Sequence, residues 1–262
     1  MSRAAAALAI LTLRNLGAGR RGWAALLLLS LGPVLAGLGA LFGRTDPEDV
    51  LRHVAFHFTD WIAIQLLGLV VGLALTSGEI EDGTAGYLYL AALPKWLTVL
   101  VQIGTAWVAL STLLLASLAL TALAAGLGGG LSARLFVDAA RAALAGSAGL
   151  LVILCWTSAC GLAFRTSVGA LSAAALPLFF WEFLVTHMPI RFAAWTVTNN
   201  VRGLLLQLIF DGSGGRAYKY VKNFSVPPYD RASMFLSATA GVLLLAAMTA
   251  AMNRSIEGKE AR

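Results

Sequence analysis

Residues 96–133 read WLTVLVQIGTAWVALSTLLLASLALTALAAGLGGGLSA and hold no charged side chain. A helix crossing the hydrocarbon core of a bilayer needs ~20 predominantly apolar residues. This run is too long for one span and slightly short for two spans plus a turn. Between Leu97 and Ala125 only Gly104 interrupts good helix formers, and the cluster Gly126-Leu127-Gly128-Gly129-Gly130 then stops the helix. The stretch predicts one long or tilted membrane helix with an overhang at one end.

The rest of the chain agrees with that reading. Of its 262 residues 59% are hydrophobic and only 12% charged, and the mean hydropathy is +0.80. A soluble domain of this size could not hide so much apolar surface, because much of its exterior must face water. Disorder requires the opposite composition. Cys155 and Cys160 stand five apart in one apolar run, which gives no CxxC pair, no zinc framework and no disulfide. The net charge of +6 is spread between apolar runs, a membrane-protein pattern rather than a nucleic-acid-binding one.

Outward from 96–133, further apolar runs fall at Gly22–Gly43, Trp61–Gly78, Ala142–Phe164, Thr166–Met188 and Ala232–Asn253. The fifth of these six spans carries Pro177, a predicted kink, and one carboxylate, Glu182. The expected architecture is a single all-α transmembrane domain, residues 1–262, with spans near 22–43, 61–78, 96–125, 142–164, 166–188 and 232–253. Ahead of it, Met1–Arg21 is Ala/Leu-rich and punctuated by arginine. A signal peptide is the rival reading, but no small-x-small cleavage site precedes the next apolar run. On a helix Arg3, Arg14 and Arg21 fall within about 20° of one another, as in a helix lying in the interface with arginines toward headgroups.

With the N-terminus inside, cytosolic segments hold nine Lys/Arg and outer segments ten, six of them in the single long loop Arg191–Arg231. Setting that loop aside leaves nine against four, and the four arginines before the first span weigh most. Both termini are expected in the cytosol.

The most informative polar stretch follows the second span: Thr76-Ser77-Gly78-Glu79-Ile80-Glu81-Asp82-Gly83-Thr84-Ala85-Gly86-Tyr87-Leu88-Tyr89-Leu90-Ala91-Ala92-Leu93-Pro94-Lys95-Trp96. As a helix it puts Ile80, Thr84, Tyr87 and Ala91 in one stripe of about 60°, with Leu90 and Leu93 nearly opposite. Its carboxylates Glu79, Glu81 and Asp82 suit the positive end of a helix dipole, and Pro94 ends it. Two apolar faces suit contact with the membrane body on one side and another protein on the other.

This segment resembles the first intracellular loop of type-2 ABC transporter permeases, whose hallmark is an E-x-E-x-G-T-x-x-Y-L-L-like run and then a proline. Glu79, Glu81, Gly83, Thr84, Tyr87, Leu88 and Pro94 stand at the corresponding positions. The six-span layout, the N-terminal amphipathic helix, the long loop before the last span and the tail Asn253–Lys259 resemble that family too. The chain departs from it at Pro94-Lys95-Trp96, where the family often has an arginine-containing turn.

The resemblance implies a plasma (inner) membrane protein of bacteria, one half of a dimer of permease subunits, with homodimer as the expected form. A separate cytosolic ABC ATPase would bind ATP and Mg and dock below. Residues 79–93 would be the coupling helix, with Glu79, Ile80, Glu81, Gly83, Thr84, Tyr87, Leu88, Leu90 and Pro94 at the ATPase interface. An unidentified cargo would move outward.

The residues themselves supply no catalytic centre and no cofactor site. Gly126–Gly130 lacks the Lys-Ser/Thr of a phosphate-binding loop, so any hydrolysing subunit is another polypeptide. His53 and His57 share a helical face but lack the further ligands a metal needs, and read as interfacial histidines before Trp61. An ionisable group at the bilayer centre costs ~3 kcal/mol on insertion scales, so a cargo or gating role for Glu182 is weighed, although a count of ~25 Å from Arg165 puts it near the outer face. Its bland alternative is an interfacial pair with Arg191 or Arg202. The apolar stretch Phe192–Phe210 could be mistaken for a seventh span. Arg202 in its middle argues for a re-entrant or surface helix, which needs protein cover.

Two other function classes compete. An intramembrane enzyme would need a G-x-S-G serine or facing carboxylates and histidines, and Gly146-Ser147-Ala148-Gly149 has the wrong order. A non-transporting, ATPase-linked membrane anchor or assembly factor is the second. Spans rich in Ala, Leu and Gly favour an apolar or amphipathic cargo, while the small residues Ala142, Gly146 and Gly149 read as tight helix packing.

Overall fold

The computed structural model describes residues 3–18, 20–42, 46–78, 93–164, 166–184, 194–210 and 227–260. Among them the regular elements are all helical. We number them α1 (Arg3–Ala18), α2 (Arg20–Phe42), α3 (47–78), α4 (Lys95–Gly129), α5 (Ala133–Ala163), α6 (167–184), α7 (Val197–Phe210) and α8 (Tyr229–Glu260). Among the described residues five helices are long and apolar enough to cross a membrane: Gly22–Phe42, Pro47–Thr76, Lys95–Gly129, Ala133–Ala163 and Asp230–Asn253. Val168–Glu182 is a shorter apolar helix. The chain has the build of a multi-pass helical membrane protein.

Two helices begin much earlier than their apolar runs. α3 starts at Pro47 rather than near Trp61, and its first turn explains why. Asp46 caps it, accepting from the Glu48 amide at 3.1 Å, Pro47 occupies a first-turn position, and Glu48 and Asp49 face the positive end of the dipole. α5 starts at Ala133 rather than near Ala142, with the Ser132 hydroxyl accepting from the Leu135 amide. α4 is long, as expected, but runs four residues past Ala125 through most of the glycine cluster and closes only at Gly130, whose φ of 101° is natural to glycine.

α3 and α5 form the centre, and α2 and α8 lie on the outside with most of their surface uncovered. Contact between α3 and α5 is close because two glycines one turn apart leave room for it. A Cβ on Gly68 would collide with the side chain of Ile153, and one on Gly72 with that of Thr157. The Thr157 hydroxyl donates to the Gly68 carbonyl at 2.9 Å, which ties the helices where their backbones approach. Gly146 packs the same way, since a Cβ there would stand 3.0 Å from both Ile64 and Leu114. The small residues of α5 are packing residues, as their spacing suggested.

Two bends shape the ends of the bundle. α1 folds back along α2 and α4, and a Cβ on Gly22 would collide with the Leu16 carbonyl, so glycine permits that return. In α6 the kink expected at Pro177 is a change of helix type: Ser167–Pro177 is α-helical and Leu178–Leu184 is a π-helix. Proline cannot donate the usual backbone hydrogen bond, which favours such a register change.

Candidate functional site

α3 changes register as well. Val54–Ala63 forms a π-helix between α-helical Pro47–His53 and Ile64–Leu73. π-helical turns are rare and mark sites where a side chain must be re-aimed or a carbonyl released. Here Asp60 sits in the π-helical part of α3 and Glu182 in that of α6, and both converge on α7.

Arg202 of α7 is the hub. It is 1% exposed, and its Nε stands 3.1 Å from Oδ2 of Asp60, itself 2% exposed. The Arg202 guanidinium also donates to the Phe56 carbonyl at 3.4 Å and to Oδ1 of Asn199 at 3.5 Å. Asp60 Oδ1 is buried with no hydrogen-bond partner among the described residues. A desolvated pair of this kind holds only because each charge answers the other, and removing one leaves the other stranded.

Glu182 caps a helix as well as standing near one of the arginines expected as its partner. Its two carboxylate oxygens accept from the backbone amides of Val197 at 2.7 Å and Thr198 at 2.8 Å. These are first-turn amides of α7, which no intrahelical carbonyl can satisfy. A carboxylate from another helix therefore acts as the cap, at the positive end of the dipole. Arg202 lies within electrostatic reach of Glu182, so one arginine faces two acids. Thr196 completes the cap by accepting from the Asn199 amide, and Gln65 of α3 donates to the Thr198 hydroxyl at 2.9 Å.

The cover that Arg202 demanded is present. α7 is packed against α5, α8 and α3; Val201, Leu204, Leu205 and Ile209 are buried, and Val201 fills the space left by Gly149 of α5. Asp60 stands roughly 20 Å along α3 from Pro47, counting 1.5 Å per residue. The cluster therefore lies well inside the bundle.

His53 and His57 lie within α3 rather than ahead of a span, with ring centroids 4.3 Å apart. Among the described residues no group of three or more His, Cys, Asp or Glu side chains could hold a metal ion. A second buried ion cluster stands nearer the helix ends. Arg52 bonds Glu48 and, across to α5, Asp138, both at 2.9 Å.

Of the segment expected to couple to an ATPase, Glu79, Ile80, Glu81, Gly83, Thr84, Tyr87, Leu88 and Leu90 lie outside the described residues. Its borders are described. α3 runs through Gly78. Pro94, extended at φ −61° and ψ 141°, starts α4, its carbonyl accepting from Leu97 and Thr98.

The sequence reading named Glu182 and Arg202 but passed over Asp60 as their neighbour. The available signal was that each of the three interrupts an otherwise apolar stretch. No protein-family model matches the chain, and no curated protein matches it.

Proposed function

We propose that the chain is the membrane-spanning permease subunit of an ATP-driven ABC exporter, working as a homodimer with a separate cytosolic ATPase. Its topology is six spans, Val168–Glu182 contributing the fifth, with both termini inside and α1 in the cytosolic interface. The observation that supports this best is the continuity of α3. One helix runs from the acidic segment that begins at Glu79 to the buried pair Asp60–Arg202.

A push delivered at Glu79–Leu93 is delivered to α3. Asp60, about 27 Å up that helix from Gly78 at 1.5 Å per residue, passes it to α7 through Arg202. Glu182 passes it on to α6, because its carboxylate holds the first turn of α7. The cluster is thus a gate linkage rather than a cargo contact, and it is dry enough to have discrete arrangements.

The test is to purify variants with the ATPase and compare complex yield and stimulated hydrolysis. Charge reversal at Glu79 and Glu81 should weaken docking, and Tyr87→Ala should cost ~1–3 kcal/mol of association while the permease stays folded. Wild-type coupling in both would move the docking surface elsewhere. Independently, a cysteine at position 259 labelled from outside intact cells would overturn the topology.

A further inference from the structure

α3 and α5 run parallel and give the bundle a scale. Arg52 meets Asp138 near one end, Gly68 packs on Ile153 past the middle, and Gly72 packs on Thr157 nearer the other end. On that scale α6 covers one half. Its Ala174 carbonyl accepts from the Trp156 indole at 3.2 Å, on the Ala163 side of α5, and further along Glu182 reaches the amides of Val197 and Thr198. α7 covers the other half. A Cβ on Gly149, near the midpoint of α5, would meet both Val197 and Val201, and Thr198 accepts from Gln65. Arg202 then reaches Asp60 and Phe56, towards the Pro47 end of α3.

The lengths agree with that placement. At 1.5 Å per residue α6 and α7 are roughly 27 and 21 Å long, and end to end they match the ~46 Å of α5. A count of ~25 Å from Arg165 to Glu182 therefore ends in the middle of the bundle rather than at its outer face. A hydrocarbon core of ~30 Å placed anywhere along α5 leaves that midpoint at least ~7 Å inside it.

The junction is built for such a depth. The carbonyls of Ala194, Trp195 and Thr196, just ahead of α7, each accept from a side chain. Asn200 Nδ2 donates to Ala194 at 2.8 Å and to Thr196 at 2.7 Å, and the Trp181 indole donates to Trp195 at 3.4 Å. The amides of Val197 and Thr198 go to Glu182, and that of Asn199 to the Thr196 hydroxyl. Irregular backbone at membrane depth is tolerated only where its polar groups are satisfied in this way.

We infer that α6 and α7 are the inner and outer halves of one discontinuous crossing, interrupted within the bilayer, and that α7 opens as a unit of its own, released at the Glu182 and Asn200 contacts. The inference deepens the six-span reading, in which Val168–Glu182 contributes the fifth crossing, and rests on it.

The experiment is thiol labelling of chains with one added cysteine, in intact cells and in inverted vesicles, by a charged, impermeant maleimide. Wild type sets the background, since Cys155 and Cys160 are buried. Gln207→Cys should be labelled from outside and Val168→Cys from inside. Trp195→Cys, at a position 63% exposed on the bundle surface, should react about a hundredfold more slowly than Gln207→Cys from either side, because the charged reagent has to enter the core. Labelling of Trp195→Cys from outside as fast as Gln207→Cys would overturn the inference and leave six spans standing. Labelling of Val168→Cys and Gln207→Cys from the same side would overturn the six-span reading with it. Hydrogen exchange tests the separate opening. Asn200→Leu should speed exchange across Val197–Phe210 about tenfold and leave α5 and Ser167–Leu184 unchanged. Equal acceleration in α6, or none in α7, would overturn it.

Discussion

Two ion clusters stand on α3, and they differ in what surrounds them. At the Pro47 end Arg52 meets Glu48 and Asp138, with Arg134, more than half exposed, 3.8 Å from Glu48. Two arginines answer two carboxylates there, and Glu48 keeps some contact with solvent. Deeper in, Arg202 faces both Asp60 and Glu182, all three at most 3% exposed. The second acid is tolerable because Glu182 is answered by helix amides rather than by a cation. The first cluster fastens α3 to α5. The second holds the end of a short helix whose position depends on keeping those charges paired.

The sharpest way to break the contrast is Arg202→Met. It should strand Asp60 and cost ~3–5 kcal/mol of stability, read as a lower melting temperature in detergent. Adding Asp60→Leu should recover part of that loss, and strict additivity of the two changes would argue against direct pairing. Glu182→Gln should come next, at ~1–3 kcal/mol. One amide oxygen cannot replace two, and faster hydrogen exchange at Val197 and Thr198 would report the loosened turn. Arg52→Gln should cost about 1–3 kcal/mol, because the shorter amide gives up Asp138 while water still reaches Glu48. If it matched Arg202→Met, depth would not be what separates the clusters. Arg134→Gln should be the smallest change, under ~0.5 kcal/mol, as for a loose exposed pair.

Composition and apolar runs were enough to read a multi-pass helical chain and the packing role of Gly146 and Gly149, whereas the helix expected to stop at Ala125 runs on to Gly129. The starts of α3 and α5 were not legible for one shared reason. Charge was treated as the border of a span, yet Arg52, Asp60 and Asp138 lie inside the bundle, neutralised by partners from distant sequence. Arg52 and Asp138 are 86 residues apart. Local pattern carries no information about such a partner. Arg202 showed the opposite balance: one cation in an apolar helix was sufficient to predict that α7 needs cover, though not that Asp60 and Phe56 would receive it. Glu182 was visible as an anomaly, but its capping role depends on where α7 begins in space.

The distance between partners along the chain also has a consequence for synthesis. The ribosome delivers Arg202 146 residues after Phe56. At ~5–20 residues per second that is roughly 7–30 s, during which Asp60 exists without the arginine that answers it. Each charge at the centre of a lone helix adds ~2.5–3.5 kcal/mol against insertion. The Asp60 carboxylate therefore has to face water or protein until α7 arrives. A cysteine at position 60 should be more readily labelled in nascent chains cut before Val197 than in chains reaching past Phe210.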